Sequence, residues 1–362
     1  MDPQHRFCPN SDCPARGQIG KGNVTSHSQV EGRYLCTVCE TTFAETTGTV
    51  FYHLKTDPDR VSQVLTLIGH GCPPEAIPPA FGLSIRTVRR WMEKAGVHCE
   101  GVHAHLVEQP RALGQVQADE LRVKLQQQIV WVGMAIAVPY RLWLGAVTSP
   151  KRDTPLIRSL FQKVRACAQK APLLIVTDGF SAYPNAIRRA FRDPERTGKR
   201  GRPRGVAWAG RVIGQVVKRT EKRRVVAVEQ RLLEGTEAQH DERLKATQGG
   251  GSLNTAYIER LNATFRSRLY CLVRRTRSLA KRQAMLHTGV YLIGATYNFC
   301  SFHDSLSKAE SRTPAMAAEI TDHCWSVKEL LSYRIPPSPW RPPKKRGRPS
   351  REVSTLLQKW AT

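Results

Sequence analysis

The sequence has no run of about 18 apolar residues, so no stretch is long enough to span a bilayer as a helix. The opening stretch MDPQHRFCPN lacks the apolar core of a secretory signal, and an intracellular, cytoplasmic protein is expected. No basic amphipathic helix stands beside an apolar anchor, which argues against a membrane partner. Acidic residues are scarce as well: 30 Asp plus Glu face 56 Lys plus Arg over 362 residues, leaving a net charge of +26. An excess of this size opposes compaction by self-repulsion and calls for a polyanionic partner, nucleic acid first. What is present is enough apolar chain for a core. Hydrophobic residues make up 40%, which excludes wholesale disorder, and the length suits two or three folding units. Ten cysteines in a chain expected to be intracellular read as thiols and metal ligands rather than disulfides.

Residues 1–56 hold two cysteine pairs, Cys8 with Cys13 and Cys36 with Cys39. The second pair is a CxxC in YLCTVCETTF, a turn between β-prone flanks. Four thiolates from two such knuckles complete a tetrahedral site for Zn²⁺. The segment is too short for a good core of its own, and metal binding would supply folding energy. A zinc ribbon is therefore expected, although the first knuckle is wider than usual; four buried or free thiols are the plain alternative.

Residues 57–98 read as helix, helix, tight turn, helix. Val61, Val64, Leu65 and Ile68 have helical spacing, Gly69 and Gly71 break the chain, and Ala76, Ile77 and Ala80 mark a short second helix despite Pro78 and Pro79. Ser84 is placed to cap a third helix, IRTVRRWMEKAG. This order suits a helix-turn-helix reader of duplex DNA. Ser84, Arg86, Thr87, Arg89 and Arg90 fall on its exposed early turns, with Ile85, Val88 and Trp91 facing inward; a small helical bundle with a basic solvated face is the alternative. Residues 99–112 read as a linker. His98, Cys99, His103 and His105 match no common metal spacing, and solvated histidines are the simpler reading.

Residues 113–310 give three consecutive β-rich stretches, then a helix, a strand and a helix, which indicates a mixed α/β sheet. GGGSLN marks a flexible break before a last amphipathic helix. Residues 311–362 form a Pro-rich basic tail expected to be extended or disordered.

Three acids of this α/β region stand out. Asp119 shares parity with Leu121, Val123 and Leu125 on the first strand and leans to the apolar side. Asp178 ends the apolar run LLIVTDG, where a strand delivers its last side chain to a crevice edge. Glu259 stands alone: Glu242 is the nearest acid before it and Asp304 the next after it. Ile258, Leu261, Phe265, Leu269 and Leu272 make an apolar stripe, and Glu259, Asn262 and Arg266 the neighbouring one at i, i+3 and i+7. Carboxylates converging from separate elements repel each other unless a hard cation joins them, and carboxylate oxygens suit Mg²⁺ or Mn²⁺. Two such ions can drive in-line attack on a phosphodiester. Ordinary salt bridges to nearby arginines are the other reading.

VQADE, VTDGFSAY and NTAYIERLNATFR, followed by LVRRTR and YNFCSFHDSL, resemble the DDE transposases of bacterial insertion sequences, in particular those of the insertion-sequence-one type. The likeness covers about residues 6 to 350. It implies a multidomain α/β chain: zinc ribbon, helix-turn-helix, then a ribonuclease-H-like catalytic domain over 113–310. It further implies that Asp119, Asp178 and Glu259 are the catalytic, magnesium-holding acids, and that Arg266 contacts DNA near the scissile phosphate with Asn262 beside it. The partners implied are transposon-end and target DNA and at least a homodimer on DNA, in the bacterial nucleoid. Departures are the wide Cys8/Cys13 knuckle and a long insertion between Asp178 and Glu259.

Two RGRP stretches, containing Arg200 with Arg202 and Arg346 with Arg348, resemble AT-hooks, in which extended arginines enter a narrow minor groove. A solvated basic loop is the alternative for the inner copy. Beside an active transposase stand two other readings: a catalytically silent DNA-binding regulator, and a ribonuclease-H-fold nuclease acting on hybrids or junctions.

Overall fold

The computed structural model describes residues 2–360 apart from 197, 199, 200, 202, 223, 275, 277, 307–309 and 343–349. Arg200, Arg202, Arg346 and Arg348, and with them both AT-hook-like stretches, lie outside the described residues. The chain divides into two compact units, one formed by residues 1–58 with 331–362 and the other by 59–330.

The first unit contains an antiparallel sheet of β1 (Val24–Ser28), β2 (Arg33–Cys36) and β3 (Thr42–Ala44). Its core is small. Tyr34 stacks on Phe43 with ring centroids 5.9 Å apart, and Ala15, Val24, Trp360 and three of the four N-terminal cysteines are buried with them.

In the second unit, α1 (Pro58–Gly69), α2 (Ile77–Phe81) and α3 (Ile85–Leu106) come first. Gly82 ends α2 with φ of 61°, a left-handed turn that glycine adopts without strain, and the Ser84 side chain accepts from Thr87 N at 3.1 Å to cap α3. The sheet follows: β4 (Gln115–Lys124), β5 (Ile129–Ala137) and β6 (Leu142–Ser149) form an antiparallel meander. Then come α4 (Thr154–Cys167), β7 (Leu173–Asp178) and α5 (Ala182–Ala190), a small hairpin of β8 (Arg192–Glu195) and β9 (Arg204–Ala207), and a long hairpin of β10 (Arg211–Glu221) and β11 (Arg224–Glu234). The helices α6 (Glu237–Gln248), α7 (Ala256–Arg268), α8 (Gln283–Cys300), α9 (Pro314–Ala317) and α10 (Val327–Ser332) close the unit. Six strands make one mixed sheet in the order β11-β10-β7-β4-β5-β6, with β7 parallel to both β4 and β10. Among the described residues no helix is long and apolar enough to cross a membrane.

Three expectations change. Residues 99–106 are not a linker but the second half of α3. The reason is visible in the burial: Cys99, Val102 and His103 continue the buried face of Val88, Trp91, Met92 and Ala95. That face packs on α8, and Gly96 permits the close approach, since a Cβ there would sit 2.2 Å from the Thr288 carbonyl oxygen. The helix α6 has no counterpart in the sequence reading, because Leu244 is its one buried residue and no apolar stripe announces it. Its signal is local: Thr236 and Gln239 form a capping box. The C-terminal tail, expected over 311–362, is not wholly extended, for α9 and α10 already fall within it. Residues 333–342 carry no helix or strand, but α11 (Arg351–Trp360) is helical, with Leu356 and Trp360 against the cysteine-bearing core of the first unit.

Candidate functional site

Sheet register brings two of the three singled-out acids together. On the parallel pair β4 and β7, Ala118 lies opposite Thr177, so Asp119 and Asp178 follow side by side on neighbouring strands. Strand β10 pairs Val216 with Asp178, and Lys218 comes two residues later on the same face. The third acid arrives on α7. Buried Gln117, two residues before Asp119, clamps the start of that helix: its amide donates to Asn254 O at 2.8 Å and its carbonyl accepts from Ile258 N at 3.0 Å. Ile258, Leu261 and Phe265 are buried as the apolar stripe requires. Glu259 is thereby turned towards Asp119, and the three acids line one cleft of about 590 Å³ together with Arg152, Phe180 and Lys218.

Each acid is held. Asp119 accepts from Asn262 Nδ2 at 2.8 Å and from the Glu120 amide at 2.8 Å, and among the described residues it has no ion pair. Burial raises its pKa, and the negative charges of Asp178 and Glu259 add to the rise. Asp178 accepts from Phe180 N at 2.9 Å and pairs with Arg152 at 2.9 Å. Glu259 pairs with Lys218 and accepts from Thr255 Oγ1 at 2.6 Å. Burial pushes its pKa upward, but the bonds from Lys218 and Thr255 outweigh this and hold it below the usual carboxylate range. The salt-bridge reading thus applies to Asp178 and Glu259 and not to Asp119.

Three residues of this site were not singled out in the sequence. Glu120 faces the opposite side of β4, against Arg152 at 2.9 Å and the buried Tyr183 of α5. Burial pushes its carboxyl up to about 7 against the pull of Arg152, and its Oε1 is buried without a hydrogen-bond partner. Carboxylate oxygens of Asp119, Glu120 and Asp178 lie within 4.8 Å of one another; Glu259 shares the cleft but not that cluster. Arg152 bridges Glu120 and Asp178 while its guanidinium lies 4.3 Å from the centre of the Phe180 ring. Lys218 is the third. The available signal was the ADE triplet itself, two adjacent acids inside an apolar strand, which must face opposite sides of a sheet.

Arg266 does not line the carboxylate cleft. It lines a neighbouring groove of about 260 Å³ with Arg122, Lys124 and Arg274. Burial and Arg274 lower its pKa, while the charge of Asp119 opposes them. At the start of α3, Ser84, Arg86 and Arg90 are exposed, and Thr87 and Arg89 are half-buried. Arg89 is tied to Glu75 at 3.4 Å, whereas Val88 and Trp91 are in the core.

In the first unit, the sulfurs of Cys8, Cys13, Cys36 and Cys39 converge within 4.8 Å, all as free thiols. Cys8 and Cys39 lie 3.6 Å apart and Cys13 and Cys36 3.8 Å apart. A tetrahedron with metal–sulfur bonds of about 2.3 Å has edges of roughly 3.8 Å, so the donor set fits an ion such as zinc. Burial pushes Cys13 up to about 12 and Cys8 higher still, and for Cys39 hydrogen bonds from Thr41 overcome burial and pull the thiol down to about 6. His98, Cys99, His103 and His105 form no such cluster among the described residues. Nor are they a solvated group: Cys99 and His103 are fully buried, and His98 is largely so, with its Nε2 3.1 Å from Leu330 O.

No protein-family model and no curated protein matches the chain.

Proposed function

We propose that this chain is a DNA transposase of the DDE kind, which binds the inverted ends of an insertion sequence, cuts them and joins the 3′-hydroxyl ends to target DNA. The observation that carries the reading is the common cleft: Asp119, Asp178 and Glu259, distant in sequence and borne by two strands and a helix, line a single opening. The ribonuclease-H-like assignment of the sheet rests on the order of its parts, a three-stranded meander followed by helix, parallel strand and helix.

The donor set fits a hard divalent cation. All its ligand atoms are carboxylate oxygens, Asp119 has no cationic partner among the described residues, and like charges crowd it. Asp119, Asp178 and Glu259 would hold Mg²⁺ or Mn²⁺, with Glu120 beneath them; such ions activate a water or 3′-hydroxyl and stabilise the leaving oxygen. The chain's own part is to aim. Asn262 and the Glu120 amide fix the Asp119 carboxylate, Arg152 and Phe180 N fix Asp178, and Thr255 and Lys218 fix Glu259. Arg266 and its groove of Arg122, Lys124 and Arg274 would supply cationic charge for a phosphodiester backbone drawn to the carboxylates. Cys8, Cys13, Cys36 and Cys39 would hold a structural Zn²⁺. Ser84, Arg86, Thr87, Arg89 and Arg90 are assigned to duplex readout, Arg86 and Arg90 foremost because they are exposed. The AT-hook-like arginines 200, 202, 346 and 348 would add minor-groove contacts. Two ends must be held at once, so at least a homodimer on DNA is expected in the bacterial cytoplasm.

One observation favours a second reading. The Lys218 ammonium already neutralises Glu259, as a catalytically silent, transposase-derived DNA-binding regulator would tolerate. Incubation of the full chain with Mg²⁺ and the DNA that flanks its coding sequence separates the two. A transposase leaves metal-dependent nicks exposing 3′-hydroxyls at the ends; tight binding with intact DNA supports the regulator instead.

A further inference from the structure

Helix α7 separates two clefts of opposite character. Glu259 faces the carboxylate cleft, while Arg260, Thr264 and Arg268, at i, i+4 and i+8, flank the other side. There a groove of about 230 Å³ is lined by three guanidinium groups, Arg141, Arg260 and Arg268, and by a single carboxylate, Asp304. Two of the three are fixed in place. Arg141, in the turn between β5 and β6, lies 4.2 Å from the centre of the Tyr257 ring and donates to Ser305 Oγ at 3.1 Å. Arg268 donates to Ser301 Oγ at 2.9 Å. Arg260 is exposed and has no ion pair among the described residues. Phe302, at the groove's rim, is 56% exposed and offers an open aromatic face beside these charges. His303 adds no charge at neutral pH, because burial and then Arg141 and Arg260 hold its pKa below the ordinary value.

Three guanidinium charges around one opening outnumber its single carboxylate, Asp304, and an added anion relieves their remaining repulsion. The exposed Phe302 ring beside them is a surface on which a flat apolar group can stack. Phosphodiester oxygens and an unpaired base suit both features, since guanidinium forks match phosphate and every base has a face to stack. The opening is too small to admit a duplex. We infer that this groove is a second nucleic-acid site, taking a DNA strand that carries an unpaired base, with its phosphate at Arg260 and Arg141 and the base against Phe302. The inference rests on the proposed DNA-cutting role and adds to it: one wall of the carboxylate cleft also grips a strand melted away from the duplex.

The test uses the full chain and two labelled DNAs of one sequence, a blunt duplex and the same duplex with its end frayed by mismatches. The wild-type chain is expected to bind the frayed DNA roughly tenfold more tightly, consistent with about one stacked base. Phe302→Ala should abolish that preference and leave blunt-duplex affinity unchanged. Arg260→Gln should weaken frayed-end binding and lower its salt slope by about one charge. A photoreactive base in the unpaired position should crosslink to the peptide that contains Phe302, a readout that does not depend on how the variants fold. Equal affinity of the wild-type chain for both DNAs, retention of the preference in Phe302→Ala, or a crosslink elsewhere overturns the inference. Failure of the transposase reading looks different: the wild-type chain then leaves both DNAs uncut in Mg²⁺, whatever its preference.

Discussion

Asp119 is held in place by a buried neighbour, and under the proposed function that neighbour, Asn262, orients the carboxylate. Asn262, almost fully buried, donates to Asp119 Oδ2 at 2.8 Å from α7, which ties the helix bearing Glu259 to the strand bearing Asp119. Groups that orient metal-binding carboxylates typically cost 10–100-fold when removed. Asn262→Ala should therefore lower the Mg²⁺-dependent cleavage rate at saturating DNA by roughly 10–100-fold, with DNA affinity unchanged in the same preparation. A second residue sets a pH dependence. His103 is fully buried, its Nε2 3.2 Å from Leu144 O, with Glu100, Lys163 and Arg111 around it; burial, then Lys163, pulls its pKa down to about 3. Its unfolded value is about 6.5. The folded state therefore binds fewer protons, and stability is complete above pH 6.5 and falls as pH drops from there towards 3, by up to about 1.4 kcal/mol per pH unit. Urea unfolding at a series of pH values measures this, and His103→Gln should flatten the slope. At this scale the sequence was informative where a residue ended an apolar run or sat in a clear helical register, as Asp178 and Glu259 do. Glu120, Arg152 and Lys218 escaped because strand register and a loop bring them to the site, and neither leaves a periodic trace.

Helix α3 shows how far periodicity carries and where it is cut short. Its first half is legible from Ser84 and the Ile85, Val88, Trp91 spacing, while in its second half glycine and histidine interrupt the stripe and the sequence looks like a linker. In the fold those interruptions are contacts. Gly96 lets α3 meet α8 at Thr288, and His103 lies against Trp143 with ring centroids 4.7 Å apart. Gly96→Ala would drive a methyl group into the Thr288 carbonyl. It should destabilise the second unit by about 1–3 kcal/mol, read as a lower denaturant midpoint, even though alanine is the better helix former. The helix α6 failed in the opposite way, being solvated nearly all round, so that its capping box was its only announcement. The central strands were legible because they are apolar and short; their order was not, since the parallel pairing of β7 with β4 and β10 depends on crossovers that no local pattern encodes.

Across the whole molecule, the +26 charge and the cysteine cluster define what each unit needs. The first unit joins the two ends of the chain around four thiols and a few aromatic rings, too little to hold by apolar burial alone. If these thiols hold a metal ion as proposed, its chelation should raise hydrogen exchange in residues 2–50 and in α11 and leave β4, β5 and β7 protected; equal loss of protection in both would place the metal's stabilising role elsewhere. The second unit carries the carboxylate cleft, and the proposed DNA partner would meet the excess positive charge of the chain. The most direct test of the whole account measures DNA binding and Mg²⁺-dependent cleavage of the flanking ends together, in wild type and in Asp119→Ala, Asp178→Ala and Glu259→Ala. Each substitution is expected to lower cleavage at least about a hundredfold while DNA affinity stays within about twofold of wild type, as for groups that act on the transition state. Cleavage that persists in these variants, or that disappears only together with binding, would contradict it.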